Sequence, residues 1–205
     1  AMYAAMVESV DEAVGKVVDE LEALSLRDRT LVVVTSDNGG VAGLADLAPL
    51  RAGKGSAWEG GVRVPLIASW PGVIAPGSTS DVPVISCDIP VTILDVTGVG
   101  TDPAQPPDGV SLAPVLRGGT LDRDALYWHY PHYHPGGATP HSAIRAGNLR
   151  LVHFYEDDHD ELYDLAADPG EQRNLAADRP DDTAALRNKL DAWLTEVGAQ
   201  FPTPK

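Results

Sequence analysis

The stretch TLVVVTSDNGG at residues 30–40 decides the fold. Leu31-Val32-Val33-Val34 is continuously apolar and mostly β-branched, the pattern of a strand covered on both faces within a helix-flanked parallel sheet. Ser36-Asp37-Asn38-Gly39-Gly40 stops it abruptly. Immediately upstream, Met6, Val10, Val14, Val17, Leu21 and Leu24 recur at steps of 4, 4, 3, 4 and 3. That spacing predicts one apolar helix face, with Glu8, Asp11, Glu12, Asp19 and Glu20 off it. Helix, short turn and buried strand make half of an α/β unit.

Downstream, Val62–Trp70 reads as a second strand, with Pro65 placing it at an edge or at its start. A helix is predicted over Ser86–Val96, with Asp88 or Ser86 as cap, Pro90 in its first turn and Gly98 near its end. Residues 98–109, rich in Pro and Asp, form a loop or boundary. Beyond it, strand-like pieces at Ala125–Tyr130, Ala143–Arg145, Leu149–Tyr155 and Glu161–Leu165 alternate with turns, as in an antiparallel sheet. A terminal helix over Asp181–Val197 puts Leu186, Leu190, Trp193, Leu194 and Val197 on one stripe. The expected organisation is an α/β part over 1–108, then a small α+β subdomain with an antiparallel sheet over 109–205.

The 205 residues suit one large domain or one domain with a small appendage. At 43% apolar and 22% charged residues, the composition is that of a globular chain. Thirty acidic against 15 basic residues leave a formal charge of −15, so there is no basic stripe with which to bind nucleic acid. A single cysteine, Cys87, forbids an internal disulfide and reads as a buried small apolar group. No apolar run approaches the ~18 residues of a membrane span. Ala1-Met2-Tyr3 shows no signal peptide, and the natural protein is expected to begin further upstream.

Asp37 and Asn38 sit past the carboxyl end of the strand, where open α/β sheets bind ligands. A carboxylate beside an amide carbonyl offers hard oxygen donors for Ca²⁺ or Mg²⁺; the alternative is an ordinary Asx turn. Two donors are too few for calcium, which takes about six to eight oxygens. In the second cluster, glycines flank Lys54, so its ammonium can reach a tetrahedral oxyanion with the backbone close by. The alternative there is a solvated loop. Glu59 would pair with Arg51 or Arg63.

TSDNGG at 35–40, followed by PLRAGKGSAWEGGVRVPLIASWPG at 49–72, resembles the C-terminal half of a type I sulfatase, of the alkaline-phosphatase superfamily. YAAMVESVDEAVGKVVDEL at 3–21, SCDIPVTILDVTGV at 86–99 and ELYDLAADPGEQRNLA at 161–176 extend the resemblance almost end to end. It implies calcium ligation by Asp37 and Asn38, and sulfate binding by Lys54. It also implies a formylglycine nucleophile made from a C/S-x-P-x-R motif, whose hydrate attacks sulfur while cations meet the developing charge. That motif is absent here, since Cys87 begins C-x-x-P without the arginine, and so is the upstream aspartate pair. The chain is therefore expected to carry about half an active site, to need the N-terminal half of the same enzyme, and to self-associate without it. Family resemblance places such enzymes in a periplasmic, secreted or lysosomal setting.

YWHYPHYHP at 127–135 could be a transition-metal site, a loop over the active-site mouth in which His129 or His132 donates to substrate, or simple core packing. His141, Ser142 and Arg145 are candidates for the same rim, His153 and His159 read as solvated hairpin residues, and Gly170–Leu175 reads as a turn without chemistry. The expected substrate is a sulfated small molecule or sulfated carbohydrate. Two rivals remain: a phosphodiesterase or phosphonate hydrolase of the same superfamily, and a catalytically inert calcium-binding homologue.

Overall fold

A computed structural model describes residues 2–203. Contacts divide the chain into two units: residues up to Asp37 with Pro65–Asp122, and Asn38–Val64 with residues from Arg123 onward. The 1–108 and 109–205 division follows chain order, whereas contact groups 38–64 with the later residues.

In the first unit, α1 (Met2–Ala23) realises the 3.6-residue period, but none of its residues is buried, and Met6 and Val10 are 62% and 60% exposed. A 3₁₀ turn (Arg27–Arg29) leads into β1 (Val32–Thr35). The parallel environment expected for this strand is corrected. Its partner is β2 (Leu66–Ser69), paired antiparallel with Val33 opposite Ala68. Having one partner among the described residues leaves Val32, Val33 and Val34 half-buried despite their composition. The second strand is also shorter than Val62–Trp70. Pro65, which has no N–H to donate, directly precedes it, and Val62 ends the short helix α2 (Glu59–Val62).

Helix α3 (Asp88–Thr97) has Cys87 at its N-cap, so neither expected capping residue holds that position. Asp88 is fully buried and accepts the backbone N–H groups of Ile85 (2.9 Å) and Val110 (3.0 Å), tying the Pro-rich loop to the helix start. Gly98 closes the helix in the left-handed region, where glycine is strain-free. Cys87 is half-buried. The short α4 (Ala113–Leu116) follows.

The second unit is an antiparallel meander of β3 (Leu126–Tyr130), β4 (His141–Ala146), β5 (Leu149–Phe154) and β6 (His159–Asp164), in that order, with α5 (Pro180–Glu196) behind it. All four expected strands form. Strand alternation divides their side chains between two faces. Ile144, Leu151 and Leu162 pack on Leu186, Leu190 and Leu194 of α5. Trp193 stacks on Tyr127 at 4.8 Å between ring centres, as the inward-facing reading of this tryptophan required, while Val197 stays exposed. On the other face, Ala143, Val152 and Phe154 pack against Ala57 and Trp58 from the glycine-rich loop. One face of the sheet thus builds the core and the other receives the loop.

Candidate active site

Just past β1, the chain turns so tightly that only glycine fits at position 39. Its N–H donates to the Gly61 carbonyl at 2.9 Å, and a Cβ there would lie 1.8 Å from the Gly60 carbonyl oxygen. Asn38 donates its side-chain N–H to the Gly39 carbonyl (3.0 Å), which gives its amide a fixed orientation. The backbone N–H of Lys54 donates to the Gly40 carbonyl at 2.8 Å. The lysine is therefore anchored by its main chain to the segment that begins at Asn38, while its side chain is exposed. Asp37 is exposed as well.

The loop around Lys54 is held by the sheet beneath it. Arg51 lies over the Trp58 ring, 3.8 Å from its centre, and donates to the Tyr163 hydroxyl (2.9 Å) and the Glu171 carbonyl (3.1 Å). Glu161 accepts from the Trp58 indole N–H (2.9 Å) and the Tyr163 hydroxyl (2.7 Å). Arg150, fully buried, donates to the Ala57 carbonyl and the Glu171 carboxylate, and its Nε lies 3.5 Å from Glu59. Glu171 also accepts the backbone N–H of Glu59 at 2.6 Å. Burial pushes the Glu171 carboxyl up from its ordinary value, opposed by the Arg150 charge. Burial likewise raises Tyr163, with Glu161 adding to the shift. Glu59 pairs with Arg63 (3.7 Å), as one expected alternative had it, and also with Arg145 (4.0 Å); Arg51 goes to Glu161 instead.

The turn at Gly170–Leu175, read as chemically idle, therefore supplies the carboxylate that closes the loop. The available signal was Arg150 itself. An arginine between Leu149 and Leu151 in an apolar strand demands a buried acceptor, although nothing local says which.

The histidine-rich stretch separates by face. His129 points to the α5 side, where Nδ1 meets the Ser142 hydroxyl (2.7 Å) and Nε2 the Gln200 carbonyl (2.9 Å). Both ring nitrogens are used within the fold, and strand alternation turns the ring away from the Lys54 loop, so the substrate-binding reading of His129 is corrected. His132 is exposed and meets the Tyr130 ring edge-on at 5.5 Å. The residue beside the lysine is His134, which the sequence reading named only as part of the histidine-rich stretch. Its ring packs on Gly55, where a Cβ would lie 2.0 Å from Nδ1, and Ala138 donates its N–H to the Gly55 carbonyl (2.9 Å).

Three rim candidates also move inward. His141 and Ser142 are 6% and 0% exposed, and Arg145 is half-buried against Glu59. His153 is buried between Asp160 (3.0 Å) and Arg187, not solvated, whereas His159 is exposed and stacks on Phe154. Despite its burial, the Asp160 carboxyl is held below its ordinary value by His153 and Arg187.

Among the described residues, no group of three or more His, Cys, Asp or Glu side chains is placed to hold a metal ion. The histidine-rich stretch therefore forms no such site; it is ring packing around Tyr130. No described helix is long and apolar enough to cross a membrane.

Residues 53–200 match the family model described as N-sulphoglucosamine sulphohydrolase, C-terminal, and residues 1–99 match the model described as Sulfatase. A sulfatase from Formosa agariphila is 38% identical over 96% of this chain and 40% of its own length. An N-acetylglucosamine-6-O-sulfatase from Bacteroides thetaiotaomicron is 38% identical over 97% of this chain and 35% of its own length. The chain thus spans about two fifths of the length of these relatives. Among solved structures, BT4656 in complex with its substrate D-glucosamine-2-N,6-O-disulfate superposes with a TM-score of 0.77 at 32% identity, covering 96% of this chain and 40% of that one. The phosphonate monoester hydrolase of Agrobacterium radiobacter gives 0.73 at 29% identity, over 93% and 40%.

Proposed function

The chain belongs to the type I sulfatase family, and from that membership we propose that the whole protein hydrolyses sulfate esters of carbohydrates, with this chain supplying part of the active site. One observation carries the proposal. The backbone N–H of Lys54 donates to the Gly40 carbonyl, so the main chain that carries the lysine is tied to the segment that follows Asn38.

In this reading Lys54 meets the nonbridging oxygens of the sulfate. Its exposed ammonium stands on a loop fixed by Arg51, Arg150 and Glu171, so little reorganisation accompanies charge development. Asp37 and Asn38 fit a hard cation by donor type, and calcium, or magnesium in its place, would add charge compensation when bound. His132, exposed beside the Tyr130 ring, donates to the alcohol side in this reading. The chain contains no C/S-x-P-x-R motif, so the formylglycine nucleophile and the remaining metal ligands come from the N-terminal half of the enzyme. The uncovered apolar face of α1 is where that half would pack, and in its absence copies of the chain would associate. The names of the N-acetylglucosamine-6-O-sulfatase and the disulfated-glucosamine complex support a sulfated sugar as substrate.

The test is a paired assay of the whole protein on sulfated monosaccharides and on matched phosphate and phosphonate esters, with and without chelator. Faster turnover of sulfate esters, lost with chelator, is the expected result. Faster turnover of phosphonate would favour the second reading, which the phosphonate hydrolase likeness motivates. The chain alone should bind calcium weakly and hydrolyse nothing. Tight calcium binding or turnover by the chain alone would contradict the division of the site.

A further inference from the structure

Lys54 stands second in a four-residue turn, closed where the Ser56 N–H donates to the Gly53 carbonyl at 3.1 Å. Gly55, third in that turn, is at φ +77°, the left-handed region that a type II turn requires there. A second turn lies directly against the first. The His134 N–H donates to the Ala138 carbonyl (2.9 Å) and the Gly137 N–H to the His134 carbonyl (2.9 Å), which makes residues 134–138 a closed unit. Two features seat that unit on the lysine's own peptide. Ala138 donates its N–H to the Gly55 carbonyl at 2.9 Å. A Cβ on Gly136 would come within 2.5 Å of the Lys54 carbonyl oxygen and 3.0 Å of the Gly55 Cα, so glycine is what lets the two backbones meet.

His134 joins the two turns. Its ring fills the space beside Gly55 where a side chain would otherwise stand, since a Cβ there would lie 2.0 Å from Nδ1 and 2.4 Å from Cε1. The same Nδ1 accepts the Gly136 N–H at 2.8 Å. One atom therefore packs on the lysine turn and holds the glycine that lies on the Lys54 carbonyl. On its other side Lys54 is fastened by its N–H to the Gly40 carbonyl, while its side chain is exposed. An ammonium on a flexible four-carbon stem is aimed only as well as its backbone is held, and a misplacement of about 1 Å can cost up to ~10²-fold in rate. We infer that His134 is a positioning residue for Lys54, acting through Nδ1, which keeps the second turn closed over the lysine's peptide. The inference rests on the reading of Lys54 as the cation that meets sulfate, and it does not require the imidazole to touch substrate.

The whole protein is assayed on a sulfated monosaccharide with His134→Ala, His134→Asn, Lys54→Ala and the Lys54→Ala/His134→Ala double variant. His134→Ala should lower kcat about tenfold and move KM less than about twofold, because the lysine matters most where charge develops. Asparagine puts Oδ1 where Nδ1 stands and keeps the Gly136 bond, so His134→Asn should return kcat to within about threefold of the wild type. In the Lys54→Ala background, loss of the imidazole should cost less than about twofold more, since no ammonium is left to aim. An equal loss in both backgrounds would show His134 meeting the substrate itself and overturns the proposal. So does an unchanged kcat in His134→Ala, or an asparagine variant no better than alanine. Amide hydrogen exchange gives a readout independent of turnover: at Ser56 and Ala138 it should quicken about tenfold in His134→Ala and stay near the wild-type rate in His134→Asn. Wild-type exchange in His134→Ala overturns the proposal and leaves the sulfate reading of Lys54 standing. Turnover unaffected by Lys54→Ala would sink that reading and the aim of the clasp with it, while the exchange rates would still show the two turns held together.

Discussion

Glu171 accepts the backbone N–H of Glu59 at 2.6 Å, and its other oxygen accepts from Arg150. A carboxylate from beyond the meander thereby closes a loop presented more than a hundred residues earlier. Its removal tests how far that loop depends on the C-terminal subdomain.

Glu171→Ala should destabilise the chain by about 3 kcal/mol, since it removes the hydrogen-bonded partner of the fully buried Arg150 and leaves it only Glu59, 3.5 Å from its Nε. Glu171→Gln keeps an acceptor of similar shape and should cost less. Urea denaturation gives both numbers, and a loss below about 1 kcal/mol for the alanine variant would mean the pair behaves like a surface ion pair.

Lys54→Ala should lower turnover of sulfate esters by the whole protein by on the order of 10²-fold or more, with the melting temperature unchanged because the side chain is exposed. Steady-state kinetics at saturating substrate check this. Unchanged turnover would show that the ammonium does not reach the sulfate.

Two glycines should respond in opposite senses to alanine. At Gly39 the new Cβ would press on the rigid Gly60 carbonyl at 1.8 Å, so the loss should meet or exceed the ~1–3 kcal/mol typical of overpacking. Gly15, exposed in α1 with nothing within 4 Å of its Cβ site, should gain up to ~1 kcal/mol. Equal shifts in the two denaturation curves would contradict the close approach of the 39 and 60 backbones.

Stability should fall as the solution is acidified below about pH 6.5, and His141 is one cause. Burial lowers its folded pKa, with Arg150 and the neighbouring His129 also opposing its charge and Tyr130 and Phe154 packed beside its ring. The unfolded chain therefore binds a proton that the folded chain refuses. The contribution is fully present above the unfolded pKa and is lost as pH falls toward the folded one, by up to ~1.4 kcal/mol per pH unit. His141→Gln should flatten that part of the profile between pH 7.5 and 5.5. An identical slope in the variant would show that other groups govern it.

Local patterns were legible because they are short-range. The 3.6-residue period of α1 and α5 and the spacing of the four meander strands follow from side chains a few positions apart. The apolar run at 31–34 was equally plain, yet its partner direction was not, since composition records burial tendency and not which strand lies alongside. The family signature singled out Asp37, Asn38 and Lys54 for the proposed site, whereas the reading of the histidine-rich stretch misplaced His129, because the dense run hid the alternation that turns it toward α5.

By itself, then, the chain's order of residues determined its main helices, the strands of its meander and its family. Tertiary structure alone decided that Glu171 and Arg150 grip the lysine loop, and that His134 and not His129 lies beside it. Those facts depend on contacts between residues some eighty to a hundred and twenty positions apart. The energy of such a contact comes from burial and pairing that exist only once the chain has closed upon itself.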